Sequence, residues 1–264
     1  MVFKRVTDLL RRKEKPGSIG DFFFRGDDIA SDIVTKFGKQ GALLDIYVGT
    51  TDTLVHKWHH YLPLYERYFG RFRDRPGQPL RFLEIGVSQG GSLAMWRKYF
   101  GPEAIIFGID INPDCAQFNG RAGQVRIGSQ DDPVFLRHVV EEMGGVDLVL
   151  DDGSHVMPHI RASLLTLFPL LSMGGTYMIE DLHTAYWKNF GGGYSTRENF
   201  FDFIRTSVDD MHQWYHRAPV AHPELAMIVS GIHLHDSIVV LDKEQVYRPT
   251  HSQVGTEAKE LAAR

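Results

Sequence analysis

The residues in this chain best equipped for chemistry fall in two short acidic clusters. One is Asp151-Asp152-Gly153-Ser154-His155. The other, Glu180-Asp181, begins twenty-eight residues after Asp152. Each follows an apolar run, 146–150 and 176–179, that reads as a buried parallel strand. If those strands are neighbours, their carboxyl ends bring Asp152, Glu180 and Asp181 together, with His155 one turn away. Three carboxylates held that close repel one another, and a bound divalent cation relieves the repulsion. An imidazole beside them can take a proton near neutral pH. The pattern is that of a metal-assisted deprotonation site, with Asp152, Glu180 and Asp181 as metal ligands and His155 as general base. Asp151 reads equally well as a helix cap or as a cofactor contact.

The elements that must position these groups alternate from residue 80 onward. Strands are expected at 80–87, 104–111, 125–128, 146–151 and 176–180, with helices at 92–100, 132–143 and 158–171 between them. Pro133 suits the first turn of its helix, Ser92 and Gly101 suit the two ends of theirs, and Met173-Gly174-Gly175 reads as a turn. A helix at 199–215 and two strands at 226–234 and 237–243, an antiparallel pair at the sheet's end, complete the pattern. The expected fold is α/β: a doubly wound, Rossmann-like, seven-stranded, mostly parallel sheet with a helical N-terminal extension. The expected division is 1–79 for the extension, 80–246 for the nucleotide-type domain and 247–264 for a polar tail. Within the extension, 7–15 and 43–70 read as helical. Phe22-Phe23-Phe24 is placed to dock on the main domain or on a second subunit.

The run Leu83-Glu84-Ile85-Gly86-Val87-Ser88-Gln89-Gly90-Gly91 is a strand entering a glycine loop. Its spacing is not the dinucleotide G-x-G-x-x-G, and no Gly-Lys-Ser/Thr follows, so a pyrophosphate is not the obvious ligand. Small residues let a ligand approach the backbone, and Glu84 favours a cationic one. Asp110, at the end of the second strand, stands where a carboxylate accepts from ribose hydroxyls. The two acids together fit S-adenosylmethionine (SAM), with its amino group, sulfonium and ribose.

Here the chain resembles the class I SAM-dependent methyltransferases, through LEIGVSQGG (83–91), GIDIN (108–112), IGSQDDP (127–133) and DLVLDDGSH (147–155). The resemblance implies that Gly86 and Ser88 line the methionine part, Asp110 and Ile111 hold ribose and adenine, and Ser129 and Gln130 lie beside the adenine. DDGSH with IEDLHTAYW (179–187), and HKWHHYLPLYERYFG (56–70) upstream, is similar to the metal-dependent sugar O-methyltransferases that act on deoxysugars of macrolides and related glycosides. That narrower resemblance implies Mg²⁺ (or Mn²⁺) on Asp152, Glu180 and Asp181, His155 as base, S-adenosylhomocysteine (SAH) as product, and a glycoside or oligosaccharide acceptor. Tyr186 and Trp187 offer flat faces to a sugar ring or pack in the core. His56, His59 and His60 suit an active-site wall, and Gly191 to Gly193 suit a lid. His159 and His183 read more readily as surface histidines than as site residues, and His233 and His235 as structural.

Composition narrows the partners. A net charge of −4 points to neither nucleic acid nor an anionic membrane as partner. The one cysteine, Cys115, allows no internal disulfide, and a reducing cytoplasm is the expected setting. A homo-oligomer is expected from the aromatic N-terminal segment and the 199–215 helix. Two rival readings remain at this level: an O-methyltransferase on a phenolic or polyketide hydroxyl, and a non-catalytic SAM-binding partner subunit.

Overall fold

A computed structural model describes residues 22–38, 40–73 and 77–255. Among these residues, seven strands form one sheet: β1 (Arg81–Ile85), β2 (Ile105–Asp110), β3 (Gln124–Ile127), β4 (Val146–Asp151), β5 (Leu171–Ile179), β6 (Val229–His235) and β7 (Ile238–Lys243). Their order is β3-β2-β1-β4-β5-β7-β6. Strands β1 to β5 are mutually parallel, and β7 runs antiparallel to both of its neighbours. The order reverses between β1 and β4, where the connections leave to opposite sides and a crevice opens at the carboxyl ends.

Every residue of β4 is buried, as its largely apolar run suggests, and the one interior acid, Asp147, is paired with Arg81. Alternate strand residues face two separate cores. Leu83, Ile109, Val149 and Tyr177 pack with α5 (Pro133–Met143), α6 (Met157–Leu167) and α7 (Phe200–Met211). Phe82, Ile106, Leu148 and Met178 pack with α1 (Ile29–Phe37), α2 (Ala42–Val48), α3 (Tyr61–Phe69) and α4 (Gly91–Phe100). The short α8 (Pro223–Ala226) precedes β6. The helices before residue 73 therefore share a core with the sheet and cover one of its faces.

Local chemistry sets most helix ends. Asp132 caps α5 by accepting from the Val134 and Phe135 amides, with Pro133 in the first turn and left-handed Gly144 at the end. Three expectations need correction. The predicted helix 43–70 is two helices, because residues 49–60 leave helical geometry to cross the sheet's carboxyl edge. Strand β5 begins at Leu171, so Met173-Gly174-Gly175 lies inside an irregular stretch of strand instead of a turn. Ser92 does not cap α4: its hydroxyl donates to Glu84, and Gly90 occupies the cap position. Phe22 and Phe24 dock on the domain through Trp58 and His59, with ring centroids 5.7 and 5.0 Å apart. The expected helix at 7–15 lies outside the described residues. No helix among those described is long and apolar enough to cross a membrane.

Candidate active site

The strand register delivers the acidic clusters. Ile85 pairs with Asp151 and Asp151 with Ile179, and the ladder continues past the strand ends. The Asp152 amide donates to the Ile85 carbonyl at 2.9 Å and the Glu180 amide to the Asp151 carbonyl at 3.1 Å. Gly86, Asp152 and Glu180 thus emerge in one row at the switch point. Gly86 has φ +98°, and a Cβ there would collide with the Asp152 carbonyl, so only glycine permits this approach.

A cleft of about 310 Å³ opens over this row, lined by Gly86, Ser88, Asp110, Asp152, His155 and Asp181 among others. A larger hollow of about 420 Å³ lies at the opposite ends of the strands; its charged groups, Arg81 and Asp147, are bonded to each other. Three residues lining the switch-point cleft, Ser88, His155 and Asp181, hold left-handed backbone (φ +48°, +56° and +58°). Non-glycine residues bear strain there, and it persists where the surroundings enforce it. All three sit just beyond the ends of β1, β4 and β5, where they re-aim side chains over the cleft.

On the acidic side, His155 Nε2 lies 3.7 Å from Asp152 Oδ1 and 3.8 Å from Asp181 Oδ2. One ligand atom from each of these three residues can be chosen so that all lie within 4.8 Å of one another, a spacing that suits a shared cation. Glu180 sits deeper. Its Oε1 accepts from Lys57 Nζ at 2.5 Å, and its Oε2 accepts from the Tyr65 hydroxyl. The same ammonium donates to Asp152 Oδ2 at 2.5 Å. Tyr61 donates to Asp181 Oδ1 at 2.8 Å.

Burial opposes the Lys57 charge, yet Asp152, Glu180 and Glu84 together hold the ammonium well above the usual lysine range. Burial, and then the neighbouring Asp152, push Glu180 well above the usual carboxylate range. Burial opposes ionisation of Asp152 most strongly, but Lys57, a hydrogen bond with Glu180 and the nearby His155 together hold that carboxyl low. One ammonium does not neutralise the whole cluster. The carboxylates offer only hard oxygen, and one cation already sits among them, so they fit a magnesium-like ion with the His155 imidazole beside it.

On the other side, Asp110 Oδ2 accepts from the Val87 and Ser88 amides at 2.9 and 3.0 Å, and Oδ1 from the Asn112 amide at 2.8 Å. The carboxylate thereby pins the glycine loop while keeping further acceptor sites. Ile111, next along, is exposed and stands outside the cleft lining. Gly91 lets residues 54–57 lie on the loop, since a Cβ there would strike the Leu54 carbonyl.

With Ile111, five expected cofactor contacts are not brought to the cleft lining. Glu84 is fully buried and accepts from Ser92 and from the Trp96 indole at 2.8 and 3.0 Å; burial pushes its carboxyl up to about 7. Strand alternation explains this: Glu84 shares the face of Phe82, under α4. Asp151 neither caps a helix nor reaches the cleft. It is buried and accepts from Ser163 at 2.6 Å and from Gln130 and Tyr177 at 3.1 Å. Gln130 itself braces the acidic loop by accepting from the Ser154 amide at 2.6 Å, and Ser129 donates to Asp131.

Other histidines take supporting places. His56 lines the cleft, His59 pairs with Asp32, and His159 bonds Ser154. His183 bonds Ser237 and stacks edge-on between Trp58 and Trp187 beside Asp181. Gly191 packs near Pro158 and Gly192 against the Ala185 carbonyl, away from the cleft lining. Burial pushes the Cys115 thiol up to about 11, which leaves it inert. Lys57, Tyr61 and Tyr65 are the site residues that sequence reasoning missed. The one available signal was a lysine inside an aromatic segment, because a buried lysine needs carboxylate partners.

No protein-family profile matches the chain. It is 41% identical over 198 residues to 8-demethyl-8-(2-methoxy-alpha-L-rhamnosyl)-tetracenomycin-C 3'-O-methyltransferase of Streptomyces olivaceus, covering 70% of this chain and 50% of that one. It is 32% identical over 242 residues to demethylmacrocin O-methyltransferase of Streptomyces fradiae, covering 86% of this chain and 60% of that one. The structure superimposes with a TM-score of 0.67 on the MycE methyltransferase from the mycinamycin biosynthetic pathway, solved in complex with Mg, SAH and mycinamycin VI. That pair is 26% identical, and the match covers 90% of this chain and 59% of the other. The chain spans half to three fifths of the length of these relatives.

Proposed function

From a chain that has the class I methyltransferase fold and resembles the sugar O-methyltransferases of glycosylated natural products, we propose an enzyme that transfers the methyl group of SAM to a sugar hydroxyl. The observation that carries this reading is the Asp152–His155–Asp181 cluster at the switch point, on the same cleft as Gly86, Ser88 and Asp110. Methyl donor and acidic cluster would then meet over one row of backbone.

In this reading Asp110 accepts from the donor's ribose, and Gly86 and Ser88 line its methionine part. Asp152, Glu180 and Asp181 would hold Mg²⁺. Bound there, the ion would lower the pKa of an acceptor hydroxyl, which is otherwise far too high for a nucleophile at pH 7. His155 takes the hydroxyl proton as the oxygen–methyl bond forms and SAH leaves. The enzyme's remaining task is alignment of oxygen, methyl carbon and sulfur, which the fixed strand ends favour. His155 and Asp181 bear backbone strain that a silent binding subunit has no use for. A homo-oligomer built through the exposed Phe22, Phe23 and Tyr215 belongs to the same proposal and is read by sedimentation.

The test is transfer of labelled methyl from SAM into a panel of rhamnosides, mannosides and catechols, with Mg²⁺ and again with EDTA. Label in a glycoside that EDTA abolishes is the expected result. Label confined to catechols replaces the acceptor class, and label that survives EDTA removes the metal from the reading.

A further inference from the structure

Lys57 has a place that the proposed reaction does not require. Its side chain is 2% exposed, and its ammonium lies 2.5 Å from both Asp152 Oδ2 and Glu180 Oε1. The residue arrives from far away in the chain. Gly91 seats the 54–57 segment on the glycine loop, and Tyr61 and Tyr65 of the following helix bond Asp181 and Glu180. One segment thus braces two carboxylates with an ammonium and two with tyrosine hydroxyls.

The charges that meet here explain why a lysine suits the position. Asp152, Glu180 and Asp181 carry three negative charges when ionised. An ammonium and a divalent ion together carry three positive ones, whereas either alone leaves the half-buried cluster unbalanced. Yet the ammonium and the ion draw on the same oxygens and repel each other at short range.

We propose that Lys57 is a positioning residue, a built-in counter-cation that holds Asp152 and Glu180 together and competes with the divalent ion for them. This rests on the reading that the acidic cluster binds Mg²⁺. Lys57 keeps the ligands gathered before the ion arrives, and it weakens the ion's hold once it is there.

The experiment titrates MgCl₂ into EDTA-stripped, dialysed protein by calorimetry and follows thermal unfolding with EDTA and with saturating Mg²⁺. It is done on the wild type, Lys57→Met and the charge-keeping Lys57→Arg. Lys57→Met is expected to melt several degrees lower than wild type in EDTA and to regain most of that loss with Mg²⁺. It should also bind Mg²⁺ about tenfold tighter or more, because a nearby positive charge is gone. Lys57→Arg should keep an affinity near that of the wild type.

A lysine that merely braced the fold would leave Mg²⁺ affinity unchanged or weaker in Lys57→Met, and that result overturns the proposal. Should Lys57→Met not fold in EDTA, folding on addition of Mg²⁺ supports it. Failure of both Lys57→Met and Lys57→Gln to fold even in saturating Mg²⁺ refutes it. A wild type with no Mg²⁺ heat and no Mg²⁺-dependent melting shift removes the underlying metal reading, a result distinct from a wild type that binds and a variant that binds no better.

Discussion

The two halves of the cleft are built from different materials. At the ends of β1 and β2, the cofactor half is mostly backbone: a glycine loop whose amides are pinned by one carboxylate, Asp110, from the next strand. At the ends of β4 and β5, the acidic half is mostly side chain. Asp152, Glu180 and Asp181 are held by Lys57, Tyr65 and Tyr61 from a segment roughly a hundred residues earlier. A backbone site tolerates variation in side chains but not in glycines, while a side-chain site depends on partners brought together only by the fold. Gly86 joins the halves, since its missing Cβ lets the glycine loop touch the Asp152 carbonyl.

The largest expected effect separates chemistry from binding. His155→Ala should lower methyl transfer by about 10²- to 10⁴-fold, the usual worth of a general base. SAH affinity, measured by calorimetry, should stay within about threefold, because His155 belongs to the acidic half. Retained turnover would take the base role from His155.

The next effect is on stability and concerns Glu84, buried beneath the cofactor half. Its folded-state pKa is raised from 4.5 to about 7, so between those values the folded protein holds a proton that the unfolded chain has lost. Wild-type stability should therefore fall as pH rises through that window, by about 3 kcal/mol in all. Urea unfolding of Glu84→Gln should lack this decline. A parallel pH dependence in both proteins would show that Glu84 is not its source.

Asp110→Ala sharpens the contrast from the other side. Losing a charged acceptor that pins the loop should weaken SAH binding by about 10- to 100-fold, in line with the worth of hydrogen bonds to a charge. Mg²⁺ affinity should not change, and a matching loss of Mg²⁺ would mean that the halves are not separable. The smallest effect is expected of Tyr65→Phe. Glu180 keeps Lys57 but loses one donor, for about 1–2 kcal/mol of stability by thermal melting.

The same contrast governs what could be read from the sequence. The largely apolar runs of β4 and β5 gave away two buried parallel strands, and the register then set Asp152 beside Glu180. Asp110 was legible because its partners are the amides of a recognisable loop. Glu84 misled, because its closeness in sequence to that loop hides the strand alternation that turns it under α4. Asp151 misled for the same reason: it lies one residue too early and faces Ser163 and Tyr177. Lys57, Tyr61 and Tyr65 were illegible. A lysine inside an aromatic segment was the one local mark, and it names no partner when the partners stand 95 to 123 positions away.

The most direct test of a two-part site is calorimetry on Asp152→Ala, titrated separately with Mg²⁺ and with SAH. Loss of Mg²⁺ binding with SAH affinity held within about threefold is the predicted outcome, because Asp152 belongs to the acidic half while the loop proposed to carry the cofactor is pinned by Asp110. Mg²⁺ binding that survives the substitution would contradict the assignment of the acidic cluster as the metal site.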